Sequence, residues 1–181
     1  MTLTLYLAHP TDSDTKLNEW AIDFSNRTGI NVINPFKVNK FENLIVLPEN
    51  KDEYYQLIDY KNIVKEDLRI LYNDIDAVVA FVDGNISYGT PMEMICAKLK
   101  KIPVYSIISN GHENHPWLKY CSEKTFTNKD DFEKWISMDC HYCNDKMHLV
   151  GRNLEQKFKM FECRSCGKSW MEDEDERSNC S

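Results

Sequence analysis

The 181-residue chain has no run of about 18 apolar residues, which argues against a membrane-spanning helix. Its first residues lack a basic segment ahead of an apolar one, so they read as a strand and not as a signal peptide. Positive charge is in short supply: 22 Lys and Arg face 29 Asp and Glu, a net charge of −7. That balance argues against general nucleic-acid binding by the main body. No internal repeat is present, which sets solenoids aside. What these absences leave is a cytoplasmic globular protein, and 42% hydrophobic with 28% charged residues fits one. The length suits one full domain plus a small appendage.

Seven cysteines make an odd count, and four of them, Cys140, Cys143, Cys163 and Cys166, form two C-x-x-C pairs with nineteen residues between. In a cytoplasmic chain this spacing points to metal and not to disulfides. The pairs read as knuckles of a ribbon holding one structural Zn2+, because four thiolates close a tetrahedral site and leave no position for substrate. His141 or His148 replacing one cysteine is a minor alternative. So is a redox pair, which needs only one C-x-x-C. A module this small has little core, so metal has to supply much of its folding energy. Between residues 138 and 171, six Lys or Arg stand against four Asp or Glu, and four thiolates with one zinc add −2. A neutral module followed by the acids 172–176 is a poor phosphate binder, and Phe158, Phe161 and Trp170 read as its packing. Cys96 and Cys121 fall in apolar segments and read as buried free thiols.

Upstream of the cysteines, strand and helix patterns alternate. Residues 3–8 and 30–33 read as strands around a helix at 15–28, which puts Leu17, Trp20, Ala21 and Phe24 on one face and stops at Gly29. Residues 37–51 show no period and read as loop. A long helical pattern at 52–73 spaces Leu57, Tyr60, Val64, Leu68 and Leu71 by three or four. The apolar run from Ala77 to Val82 is a central strand. A helix at 91–100, a strand at 103–108, a short helix at 113–120, a strand at 124–126 and a helix at 129–136 follow. This alternation predicts a doubly wound, five-stranded parallel α/β sheet, flavodoxin- or Rossmann-like. It ends near residue 138. The expected organisation is a catalytic domain at 1–137, a zinc ribbon at 138–171 and an acidic disordered tail at 172–181.

The sharpest chemical signal lies between the strand ending at Val82 and the helix starting near Pro91. Ligands of open parallel sheets bind beyond the carboxyl ends of the strands. Free N–H groups at a helix start favour a phosphate or carboxylate there. Glu93 sits at this junction. Thr90, Pro91 and Glu93 also fit a capping box, so spacing alone leaves Glu93 open between a cap and an acid with chemistry to do. Asp67 shares the apolar face of its helix with Val64 and Leu71, where a carboxylate needs a partner or a purpose. One carboxylate on the loop and one on the preceding helix suit acid–base or glycosyl chemistry.

Tyr6 to Pro10 at the end of the first strand, Asp67, Asp76 to Asp83, and Ser87 to Glu93 together resemble the nucleoside 2-deoxyribosyltransferase family, which includes the 2′-deoxynucleoside 5′-phosphate N-hydrolases. The resemblance runs over residues 3–136. It implies cleavage of an N-glycosidic bond, with Glu93 as the nucleophile that attacks C1′ and forms a glycosyl-enzyme. Asp67 matches the carboxylate that assists base departure or positions the sugar, and Tyr6 matches an aromatic near the nucleophile. Transferases acting on free nucleosides carry an acid six positions before the nucleophile, where this chain has Ser87. Ser87, Gly89 and Glu93 instead match the phosphohydrolase branch, and Thr90 lies in the same substrate-binding loop. A hydroxyl and free N–H groups suit a 5′-phosphate that an aspartate would repel. His9 stands where many relatives have Gly, at the phosphate or sugar pocket, and is equally readable as structural. Asn114 follows the fourth strand, in a region that can complete a neighbouring subunit's site, which implies a homo-oligomer. Trp117 reads as a buried aromatic in a helix-entry turn.

The expectation is therefore an enzyme that releases the base from a (2′-deoxy)nucleoside 5′-monophosphate, with a small-molecule nucleotide or nucleoside as substrate and no organic cofactor. A transferase exchanging bases between deoxynucleosides is one alternative. A non-catalytic binder of a nucleotide or nucleotide-derived signal is another. A nucleic-acid adaptor built on the ribbon is disfavoured by the charge balance.

Overall fold

The computed structural model describes residues 3–10, 14–38, 60–83, 87–153 and 157–173. Five parallel strands form the main sheet: β1 (Thr4–Ala8), β2 (Asn31–Ile33), β3 (Ala77–Asp83), β4 (Val104–Ser109) and β5 (Lys124–Phe126), in the order β2-β1-β3-β4-β5. The doubly wound α/β architecture read from the sequence is the one that forms. From β1 the chain moves outward to β2, then crosses back to β3 on β1's other side. The winding therefore reverses between β1 and β3, where open sheets hold their ligands.

Alternate side chains of each strand face opposite layers. Leu5, Leu7, Val79, Phe81 and Ile107 pack with Trp20 and Phe24 of α1 (Asp14–Thr28) and with Phe132, Trp135 and Ile136 of α6 (Lys129–Ile136). Tyr6, Ala8, Val78, Ala80 and Val82 face the other way. They meet Ile70 and Leu71 of α3 (Tyr60–Asn73), Met94 and Ala97 of α4 (Gly89–Leu99), and Leu118 of α5 (Pro116–Cys121). Burial on both faces is why the strands read as nearly unbroken apolar runs. A single turn, α2 (Pro35–Val38), follows β2. Gly29, at φ +72°, stops α1 and donates its amide to Ser25 O at 2.8 Å.

A second, antiparallel sheet follows: β6 (Ser137–Asp139), β7 (Lys146–Asn153), β8 (Phe158–Cys163) and β9 (Ser169–Asp173), in that order. It starts without a linker, since Ser137 directly follows the last residue of α6. Met147, Leu149 and Phe161 join the apolar cluster on the α1–α6 side of the main sheet. The ribbon therefore stacks on that face, away from α3, α4 and α5.

Several expectations need correcting. The acidic run reads as tail from 172, but β9 continues through Asp173. Glu172 pairs at 3.3 Å with Lys159, whose side chain is only 1% exposed and lies over the rings of Trp135 and Phe161. A buried ammonium needs a carboxylate within reach, and that demand holds Glu172 in the sheet. Val64 is 54% exposed, because α3 turns Ile70 and Leu71 inward instead. Trp117 is not buried but 64% exposed. Cys121 is buried as expected, whereas Cys96 is only half-buried. Leu57 and the reading of 39–59 lie outside the described residues. No helix among the described residues is long and apolar enough to cross a membrane.

Candidate active site

Tyr6 and Glu93 are 87 residues apart in sequence, and the reversal point brings them together. Tyr6 projects from β1 toward α4, and its hydroxyl donates to Glu93 Oε1 at 2.7 Å. That contact is not the one a capping box makes. A capping glutamate turns back to its own helix start, but this one reaches across to the sheet. The start of α4 is served otherwise. The helix begins at Gly89, not Pro91, and the Ser87 hydroxyl accepts the Thr90 N–H at 3.3 Å. Ser87 Oγ also shares a 3.0 Å hydrogen bond with the hydroxyl of Thr90, which is buried.

The electrostatics follow from burial. Desolvation pushes the Glu93 carboxyl from its usual 4.5 to about 7; the Tyr6 hydrogen bond pulls it down, and the negative charge of Asp67 on α3 adds to the rise. Burial also drives the Tyr6 phenol well above its ordinary range, helped by the charges of Glu93 and Asp67. Tyr6 is thus a permanent donor, and Glu93 an acid that titrates near neutrality. Asp67 is half-buried and close enough for its field to act on both.

The other predicted residues are placed as follows. Gly89 opens α4, and a Cβ there would meet nothing within 4 Å. No internal packing demands a glycine at that position. His9, buried at the carboxyl end of β1, engages Pro10 O through Nδ1 at 2.8 Å, and its Nε2 lies 3.4 Å from Asn34 Oδ1. Both ring nitrogens therefore face protein atoms. Its ring also lies 5.0 Å from that of Phe36. Asn114 is exposed ahead of α5 and accepts from Lys119 Nζ at 2.8 Å, so within one chain it does not join Tyr6 and Glu93. Asn34 and Asn18 escaped the sequence reading. Asn34 is buried, accepts the Phe36 N–H at 3.1 Å to start α2, and contacts Asn18 Oδ1 at 3.4 Å. Its place just beyond β2 was the available signal, but Asn-Pro reads first as a strand terminator.

With this geometry in hand, comparison with solved structures is informative. The chain matches a conserved protein from Enterococcus faecalis V583 at a TM-score of 0.51 and 20% identity, covering 74% of this chain and 96% of that one. It matches a CMP N-glycosidase from Clostridium botulinum at 0.50 and 14% identity, covering 73% and 95%. A 2-deoxyribosyltransferase from Bacillus psychrosaccharolyticus follows at 0.46 and 20%, covering 72% and 90%. This chain has the fold of the first two. No protein-family model matches the sequence, and no curated protein matches it either.

The four ribbon cysteines also converge. Their sulfurs all lie within 4.8 Å of one another, with Cys140 Sγ to Cys166 Sγ at 3.6 Å and Cys143 Sγ to Cys163 Sγ at 3.5 Å. A tetrahedron with metal–sulfur bonds of about 2.3 Å has edges of roughly 3.8 Å, so the set fits a single metal ion. Cys140 and Cys163 are buried, while Cys143 and Cys166 are exposed.

Proposed function

We propose that this chain is an enzyme that hydrolyses the N-glycosidic bond of a (2′-deoxy)nucleoside 5′-monophosphate. The observation that carries the reading is the Tyr6–Glu93 hydrogen bond at the β1–β3 reversal point. It fixes one oxygen of a half-buried carboxylate and aims the side chain away from its own helix. In the reaction, Glu93 attacks C1′ through Oε2, and the base leaves with the bonding electrons, taking a proton from Asp67 or from water; the water of the second step replaces that proton. Water then cleaves the glycosyl ester, returning the carboxylate and releasing a pentose 5-phosphate. Tyr6 holds the nucleophile and favours its charged form. Asp67 orients the sugar or assists base departure.

Phosphate recognition falls to the start of α4, with Ser87 and the open space over Gly89 receiving the 5′-phosphate. A fold shared with a protein called a CMP N-glycosidase supports a monophosphate over a free nucleoside. Zn2+ is the metal proposed for the four thiolates, in a structural role, because a set of four cysteines is closed to substrate. A cytoplasmic setting goes with this, since reduced thiolates are needed to hold the ion. A homo-oligomer is proposed across α4 and α5, where Met92, Leu99, Trp117 and Tyr120 leave an apolar face in water. Asn114, exposed just ahead of α5, would there serve a neighbouring copy. The ribbon's net charge keeps nucleic acid out of the scheme.

Base release measured by mass spectrometry across common nucleoside monophosphates and nucleosides tests the reading. Release from a monophosphate in water is the expected result. Release only with an acceptor base present makes the protein a transferase. Tight nucleotide binding without turnover of any substrate makes it a binder.

A further inference from the structure

We infer that the metal-bound ribbon is a structural wall of the lobe carrying Tyr6 and Glu93, and that metal, ribbon and α1 hold together as one cooperative unit. The inference concerns folding and needs no substrate to be correct. Two of the thiolate carriers, Cys140 and Cys163, are buried within the same apolar cluster as Leu5, Leu7, Trp20 and Phe24. Leu5 and Leu7 flank Tyr6 on β1, so the core beneath the ribbon includes the immediate neighbours of the site. Arg164, inside the second knuckle, donates through Nη1 to Gly29 O at 2.8 Å, at the end of α1. Its side chain lies so close over Gly29 that a Cβ there would sit 2.0 Å from Nη1. Arg152 of β7 pairs with Glu123 just ahead of β5, a second tie between the two sheets. At its other end α1 carries Asn18, which contacts Asn34 beside His9.

The physical consequence follows from size. A ribbon this small cannot keep its strands together without its ion. Once it opens, Met147, Leu149 and Phe161 leave the shared cluster, and the apolar surface they covered on α1 and α6 meets water. An independent appendage would instead lose its ion and leave the main sheet untouched.

The test uses the full chain, loaded with zinc or stripped by a strong chelator under reducing conditions. Thermal melts are followed by tryptophan fluorescence and a zinc-release dye, and hydrogen exchange is read on α1 peptides. The expected result is one transition with zinc release in step. Stripping should lower the midpoint by more than about 10 °C and speed exchange in α1 roughly tenfold or more. A stripped protein that keeps its midpoint and its α1 protection overturns the inference. If the stripped protein aggregates, Arg164→Ala decides, since it leaves all four thiolates in place. Faster exchange at residues 25–29 or weaker zinc retention supports the clamp, because coupling between two sites is reciprocal. If both stay unchanged, the inference is refuted. Loss of base release plays no part in either readout, so failure of the glycosidase reading leaves this test intact.

Discussion

Glu93→Gln should cost the protein its activity and, above neutral pH, stabilise it. The Glu93 carboxyl is pushed from 4.5 to about 7 by burial. At about 1.4 kcal/mol per pKa unit, keeping it ionised in the folded chain costs about 3 kcal/mol. The sign follows from linkage. A raised folded-state pKa contributes stability that is fully present below 4.5 and is lost as pH rises through about 7. At about pH 5 the folded protein keeps its proton and the handicap against the unfolded chain is about 1 kcal/mol; at about pH 8 it approaches the full 3. Glutamine does not titrate and still accepts from Tyr6. The variant's stability advantage over wild type should therefore grow by about 2 kcal/mol between those pH values. For a chain of this size that is roughly 4–8 °C in melting temperature. Melts of both proteins at the two pH values measure it, alongside base release at the higher one. A gap that does not change with pH shows that Glu93 is not a desolvated acid titrating near 7. Undiminished base release in the variant shows that it is not the nucleophile.

Tyr6→Phe keeps the buried ring but removes the hydroxyl that pulls the Glu93 pKa down. The acid limb of kcat/KM should move to higher pH and the rate near neutrality should fall roughly tenfold or more, while an unmoved limb argues against the contact. Ser87→Ala should raise KM for the monophosphate about tenfold, the scale of one hydrogen bond to a charged group, and leave turnover of any free nucleoside unchanged. Equal losses on both substrates would mean that Ser87 only shapes the helix start. Trp117→Lys, placed on the exposed α4–α5 face, should reduce the particle mass seen by light scattering; an unchanged mass means that the chains do not meet there.

Much of the fold was legible because its signals are local. Strand β3 is an apolar run wherever it is read, Gly29 punctuates α1, and Lys129–Ile136 matches its helical pattern residue for residue. What was not legible depends on distant partners. Lys159 looks like an ordinary surface charge until Trp135, Phe161 and Glu172 close around it. Val64 fits the apolar stripe that ends at Leu71, yet among the described residues of α3 only Leu71 and Ile70, which that stripe omits, are deeply buried. The capping-box pattern at Thr90 to Glu93 is real as a pattern, yet the Thr90 N–H goes to Ser87 and Glu93 goes to Tyr6. No spacing rule connects residue 6 to residue 93, so sequence carried that pair only through a family resemblance. The two C-x-x-C pairs pointed to the sulfur cluster that forms, but their separation did not tell that the ribbon rests on α1 and α6.

That resting place bears on how the chain is made. Synthesis runs from the amino terminus, and domains fold as they emerge. Here β1 can pair with β3 and bring Tyr6 to Glu93 as soon as α4 is out. The opposite side of the same sheet has to wait. Its cover includes Phe161 and Cys163, which are made well after Glu93. A nascent chain can therefore bring Tyr6 to Glu93 while the α1 side of the same sheet still lacks the ribbon residues that cover it. If the ribbon closes only around the proposed metal, scarcity of that metal acts on the newborn protein before any mature molecule feels it.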